Sequence, residues 1–263
     1  MLSKLVFPIW KQPLVIRERN GIQDFFPQMM MSLVLALGSW LYLQRLYFCI
    51  GPILPKKSFF WPVLTKLSVL LLMLACGSYP KENNFNETEI TTNGILNPYF
   101  SDPSKDYIYK ARISLQKKEF GGLFIVKKLG PDRHRVVFTT EMGSKILDFS
   151  FERDKFTVNY LLDEMDRKVL INTLKNDFRT LITGNPQVLR TFTKDDQKIF
   201  ETKNDKKKYF YFYKDGLLNK IIRASGKKDK TEFLFLEARG NMSKIIRITH
   251  QNIPLRINLK TIK

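Results

Sequence analysis

The chain has 263 residues, with 44 lysines and arginines against 25 aspartates and glutamates and a net charge of +19. Its two cysteines, Cys49 and Cys76, both fall in the first 76 residues, so the remainder can hold neither a disulfide nor a thiolate metal site. A wholly disordered chain is excluded too, because 44% of the residues are hydrophobic, enough to build a core.

Residues 29–43, MMMSLVLALGSWLYL, form a first apolar run. Residues 1–52 read either as a leader carrying an extra hydrophobic helix or as sequence upstream of the true start. Arg17 and Arg19 precede the run, and Arg45, Lys56 and Lys57 follow it, so neither side wins on positive charge. A second run, KLSVLLLMLACGSY at 66–79, is more informative. Lys56, Lys57 and Lys66 supply a basic region, Leu67 to Leu74 an apolar core and Ala75 a small residue, the layout of an export signal. The uncharged stretch is about half the ~20 residues needed to span a bilayer. Met73-Leu74-Ala75-Cys76 resembles the lipobox of bacterial lipoproteins. That resemblance makes 53–75 a signal peptide and Cys76 the lipidated first residue of the mature chain.

From Cys76 onward 36 Lys and Arg face 23 Asp and Glu, a surplus that draws a domain towards anionic surfaces. Residues 76–104 are rich in Asn, Ser, Thr, Glu and Pro and lack apolar periodicity. They read as a lipid-anchored flexible tether with a reach of roughly 30 Å.

At Tyr107 the pattern becomes alternating. Tyr107, Tyr109, Ala111, Ile113 and Leu115 share one face, and Lys110, Arg112, Ser114 and Gln116 the other, as in a half-buried strand. Further strands are predicted at 120–128, 133–140, 145–151 and 155–162, with turn residues between them. The period then lengthens. In DRKVLINTLKNDFRTLITGNP, residues 166–186, Val169, Leu170, Leu174, Phe178, Leu181 and Ile182 fall on one helical side. Asp166 is the expected N-cap, Gly184 the C′ residue and Pro186 the stop. A second short helix is expected at 187–192. Strands resume at 197–203, 207–214, 217–224, 231–238, 243–250 and 254–262. Residues 105–263 therefore read as mainly β (α+β): an open antiparallel half-barrel of about eleven strands with one covering helix. A helix laid on the concave side leaves an apolar groove, and Leu174, Phe178 and Leu181 are its candidate ligand-lining residues.

Catalytic signatures are lacking: the sequence contains no nucleophile elbow, phosphate-binding glycine loop or metal-ligand pair. The reading is a non-enzyme without metal or cofactor. His134 and His250 lie far apart and read as surface or strand-end histidines. KKKYFYFYK imitates a nucleic-acid stacking platform, but an exported chain seldom meets nucleic acid, so no nucleic-acid partner is expected.

The strand order, the position of KVLINTLKNDFRTLITG and the closing SKIIRITHQNIPLRINLKTI resemble the LolA/LolB-like family over Tyr107 to Ile262. Proteins of that family hold lipoprotein acyl chains in transit between membranes. The resemblance implies a monomeric lipoprotein of the outer membrane, facing the periplasm and binding an acyl chain or other apolar ligand in lipoprotein or lipid transport. It also implies that the TTEMGSK hairpin projects Met142 as a membrane-contact tip. The alternative is a structural or assembly lipoprotein whose basic surface docks to a membrane protein or an anionic glycan.

Overall fold

The computed structural model describes residues 78–90 and 92–262. The leader, the signal peptide and Cys76 lie outside the described residues, so the expectations for them stay expectations. Thirteen strands form one antiparallel sheet: β1 (Asn86–Thr88), β2 (Asp106–Leu115), β3 (Lys118–Gly130), β4 (Arg133–Thr139), β5 (Lys145–Glu152), β6 (Lys155–Leu161), β7 (Val188–Lys194), β8 (Gln197–Asn204), β9 (Lys207–Lys214), β10 (Leu217–Ser225), β11 (Lys228–Arg239), β12 (Met242–His250) and β13 (Leu255–Thr261). Helix α1 is a single turn, Tyr79–Glu82, and α2 runs from Lys168 to Ile182.

The order across the sheet is β1-β7-β8-β9-β10-β11-β12-β13-β2-β3-β4-β5-β6, and the sheet is not closed. Sequential neighbours pair from β2 to β6 and from β7 to β13, as short connections dictate. Asp132, Asp205 and Asp215 take positive φ in the tight turns, where hairpin twist favours left-handed residues. Gly122 is required for a different reason. A Cβ there would stand 1.8 Å from the Thr139 carbonyl oxygen, so any side chain would push β3 off β4.

Two connections are not hairpins. The chain joins β13 to β2 only by sheet pairing, while α2 links edge strand β6 to β7 at the far side. Residues 89–105 link edge strand β1 to central β2. Both long connections must therefore cross a face of the sheet, and both cross the inner one. The helix touches strands from both halves: Phe178 meets Phe124 of β3, and Asp177 meets His250 of β12. A flat sheet of thirteen strands would be about 60 Å wide, too wide for one helix about 10 Å across to touch both halves. The sheet is curled around α2.

The sequence expected eleven strands and the structure adds two. Residues 187–192, expected as a short helix, fall instead almost wholly in β7, which pairs with β8 from Val188 to Lys194. β1 pairs with β7 through Asn86 to Thr88. Its three exposed residues make a short edge, which offers little template for further pairing. The described part of the expected tether is likewise docked. Tyr79 and Phe85 pack on the outer face of β7–β10 with Phe192, Ile199, Phe210, Phe212 and Ile222. Four aromatics spread through 79–100 lack periodicity, yet each meets a complementary apolar surface, and that burial outweighs the polar composition.

Candidate functional site

The candidate site is the concave face and its two coverings. Along β2, Tyr107, Tyr109, Ala111 and Ile113 point inward and are buried, as alternation requires. One ladder row runs Phe200, Tyr211, Ile221, Phe233, Ile248, Ile257 across β8 to β13. Every member is buried. An apolar stripe of that length is the surface the coverings must hide.

Helix α2 covers it with the residues its period selects. Leu174 and Phe178 are fully buried and Leu181 is 1% exposed. The Phe178 ring lies 5.1 Å from Phe124 and 6.1 Å from Phe149, centroid to centroid. These three residues come together under the lid, where they pack against the sheet. Val169, assigned to the same side, is 68% exposed, because at about 100° per residue it falls well off the stripe of Leu170, Leu174, Phe178 and Leu181. The N-cap is Arg167, with no side-chain cap, instead of Asp166. Thr183 is the C-cap, so Gly184 holds the expected position just beyond it.

The second covering is an insert that sequence reading missed. Ile95, Asn97, Tyr99 and Phe100 are all buried. Tyr99 stacks on Phe235 at 4.4 Å, and its hydroxyl donates to the Leu218 carbonyl. Burial pushes the Tyr99 phenol up to about 12, since an apolar setting disfavours phenolate. Phe100 packs edge-on against Tyr107 at 5.2 Å. His134 on β4 stands 3.3 Å from the Phe100 carbonyl oxygen. Asn97 clamps the insert to the helix end, donating from Nδ2 to the Leu181 carbonyl at 3.0 Å and the Thr183 carbonyl at 3.2 Å. The backbone joins in, with Asn97 N–H donating to the Gly184 carbonyl at 2.7 Å and Ile95 N–H to the Pro186 carbonyl at 3.3 Å. The carbonyls a helix leaves unpaired at its C-terminus are what this insert uses.

One end of the interior is polar. His250 Nε2 lies 2.8 Å from Asp177 Oδ2, and His250 Nδ1 lies 3.0 Å from the Leu255 carbonyl oxygen. Both side chains are buried, at 0% and 1% exposure. Each ring nitrogen faces an acceptor, so the pair holds the protons for both contacts, whichever of the two partners carries the shared one. Of the surface or strand-end positions expected, neither histidine takes the first, since both are buried, and His250 takes the second. His250 ends its strand, but Asp177 reaches it from 73 positions away. Nothing in local spacing could have signalled that pair. Among the described residues no group of three or more His, Cys, Asp or Glu could hold a metal ion.

Met142, at the tip of the β4–β5 hairpin, is 96% exposed. The turn beneath it is tied by Thr140 N–H donating to the Ser144 carbonyl at 2.8 Å and Gly143 N–H to the Thr140 carbonyl at 3.0 Å.

No protein-family model matches the sequence, and no curated protein matches it. Among solved structures the chain is similar to the crystal structure of a LolA superfamily protein from Nitrosomonas europaea. The likeness has a TM-score of 0.42 at 12% identity and covers 64% of this chain and 88% of that one. The fold described above rests on this chain's own register: an open antiparallel sheet curled around one helix.

Proposed function

We propose that this protein binds an acyl chain or another apolar ligand between its concave sheet face and α2, as a lipid-anchored protein of the bacterial envelope. The observation that carries this reading is that connecting segments alone cover the apolar interior. A buried stripe crosses six strands, while the coverings are one 15-residue helix and a short extended insert. Both are connections between strands, so each can move aside with the sheet left paired. An acyl chain has the shape and chemistry to take their place, and most ligand sites are concave and apolar. Attachment through Cys76, an outer-membrane location facing the periplasm and a role in lipoprotein or lipid transport complete the proposal. Native mass spectrometry of the full chain in detergent micelles tests it. A retained mass corresponding to an acyl lipid is expected. Ligand-free protein that also takes up no acyl probe would overturn it.

A second reading has its own observation. On the outer face Arg247 of β12 and Arg256 and Lys260 of β13 are exposed, and none is among the ion pairs of the described residues. These cations suit docking to a membrane protein or an anionic glycan. Replacing all three with glutamate should abolish retention on an anionic glycan matrix if docking is the function, and leave acyl binding intact.

A further inference from the structure

The interior is not apolar throughout. Two residues along from the apolar ladder row, the inward positions read Thr202, Tyr209, Arg223, Thr231 and His250 on β8 to β12. Tyr209 and His250 both find partners on α2: Tyr209 hydrogen-bonds with Thr180 and His250 pairs with Asp177. Between them, Arg223 Nε and Thr231 Oγ1 are buried without a hydrogen-bond partner. Thr231 is fully buried. Buried donors without partners are costly, and here two stand on adjacent strands.

The charges around them have one sign in excess. Lys207, the next inward residue of β9, lies close to Arg223 and to Lys175 of α2, with Asp205 and Asp177 as the facing acids. Burial first, and then the Arg223 charge, hold the Lys207 ammonium below its ordinary range. Asp177 is already committed to His250. Around Lys207, two further cations thus stand against Asp205 and an Asp177 that already pairs with His250, beside an Arg Nε that can only donate. Such a group attracts an anion. It adjoins the apolar row directly, since Arg223 and Ile221 are inward neighbours on β10 and Thr231 and Phe233 on β11.

Taking the apolar-ligand reading as its basis, we propose that this row receives the anionic head of an amphiphile whose acyl tail lies along Tyr211, Ile221 and Phe233. The head, a carboxylate or a phosphate, accepts from Arg223 Nε and the Thr231 hydroxyl and is matched in charge by Lys207. Arg223 and Lys207 are both half-buried while Arg223 Nε and Thr231 Oγ1 are buried, so the head enters past the two cations and the tail lies deeper.

Photoaffinity labelling of the full chain in dodecylmaltoside micelles tests this. The probes are a long-chain fatty acid with a diazirine near its tail end and the methyl ester of the same acid. The acid should label peptides of β9–β11 about tenfold more than the ester, the scale of a charge-assisted hydrogen bond. Arg223→Gln and Lys207→Gln should each bring acid labelling down to the ester's level and leave ester labelling unchanged. The Lys207 variant guards against a folding defect in the Arg223 variant, and Arg223→Lys should restore part of the preference. Equal labelling by acid and ester in the wild type would overturn the head site while the apolar-ligand reading stood. Labelling by neither would overturn that reading itself. Loss of acid labelling in millimolar inorganic phosphate, with ester labelling intact, would assign the row to a free oxyanion and overturn the amphiphile.

Discussion

Two connections cross the inner face of the sheet, and they are held there by opposite means. Helix α2 satisfies its own backbone and offers the sheet a side-chain stripe, with Leu174, Phe178 and Leu181 buried. The insert at 95–100 makes no secondary structure of its own, and its polar groups are satisfied by borrowed partners. Asn97 alone reaches two carbonyls at the end of α2, and the Tyr99 hydroxyl reaches Leu218 on β10. A covering built like the helix is autonomous and can swing as a body. A covering built like the insert depends on what it touches, so its fate is tied to the helix end. Displacing α2 should release the insert, whereas releasing the insert leaves α2 its packing.

The sharpest way to break this asymmetry is at the helix. Phe178 is fully buried against two rings, and Phe178→Ala should cost about 3–5 kcal/mol in urea unfolding. If Phe178 instead bounded an open ligand space, the loss would be far smaller and acyl retention would change. Lys175 makes a poor control, because its ammonium lies 5.4 Å from the Phe156 ring centroid. The exposed Asn172 serves better, and Asn172→Ala should stay within about 0.5 kcal/mol.

Asn97→Ala comes next. It leaves the buried Leu181 carbonyl and the half-buried Thr183 carbonyl without their side-chain donor and should cost about 1–3 kcal/mol. Hydrogen exchange should then rise in 95–100 far more than in α2. Equal rises in both segments would show that the two coverings open together, and the asymmetry would fail.

A smaller effect comes from pH. Burial first, and then the nearby Lys128 charge, lower the His134 imidazole below its ordinary value of 6.5, against the contact with the Phe100 carbonyl. A histidine with a lowered folded value is kept neutral, so unfolding takes up a proton once the pH drops below 6.5. Its contribution is complete above that value and is lost as the pH falls below it, by at most about 1.4 kcal/mol per pH unit. Unfolding midpoints at pH 7.5 and 5.5 should differ more for the wild type than for His134→Gln. An identical pH dependence would show that His134 does not carry this pH sensitivity.

The same asymmetry decides what could be read from the sequence. A helix or strand repeats its burial every 3.6 or two residues, so α2 and eleven strands stand out as periodic patterns. Residues 79–100 bury Tyr79, Ile95, Tyr99 and Phe100 at no fixed spacing, and their Asn, Thr and Glu content mimics a tether. β7 was hidden for a related reason. As the strand next to a three-residue edge, its burial pattern is mixed, and alternation is faint. The polar end was harder still, because Asp177 and His250 meet only once the sheet has curled around the helix.

Met142 separates surface from interior most cleanly, and its stability effect is the smallest. At 96% exposure it contributes almost nothing to packing, and Met142→Glu should leave the unfolding midpoint within about 0.5 kcal/mol of the wild type. The hairpin beneath should also persist. It is tied by backbone bonds at both ends of the turn, Gly143 keeps its positive φ, and Glu141 stays paired with Lys110 at 2.8 Å. If the tip meets a bilayer, burying one methionine contributes about 1.5–3 kcal/mol at most, and a flexible thioether suits brief contact with acyl chains. The glutamate variant should therefore release bound acyl ligand to phosphatidylcholine vesicles about tenfold more slowly, with its ligand content at rest unchanged. Transfer at the wild-type rate by the folded variant would leave Met142 as an exposed turn residue and nothing more. Slower transfer together with lower ligand content would place the effect in the interior, and the separation of tip from groove would be wrong.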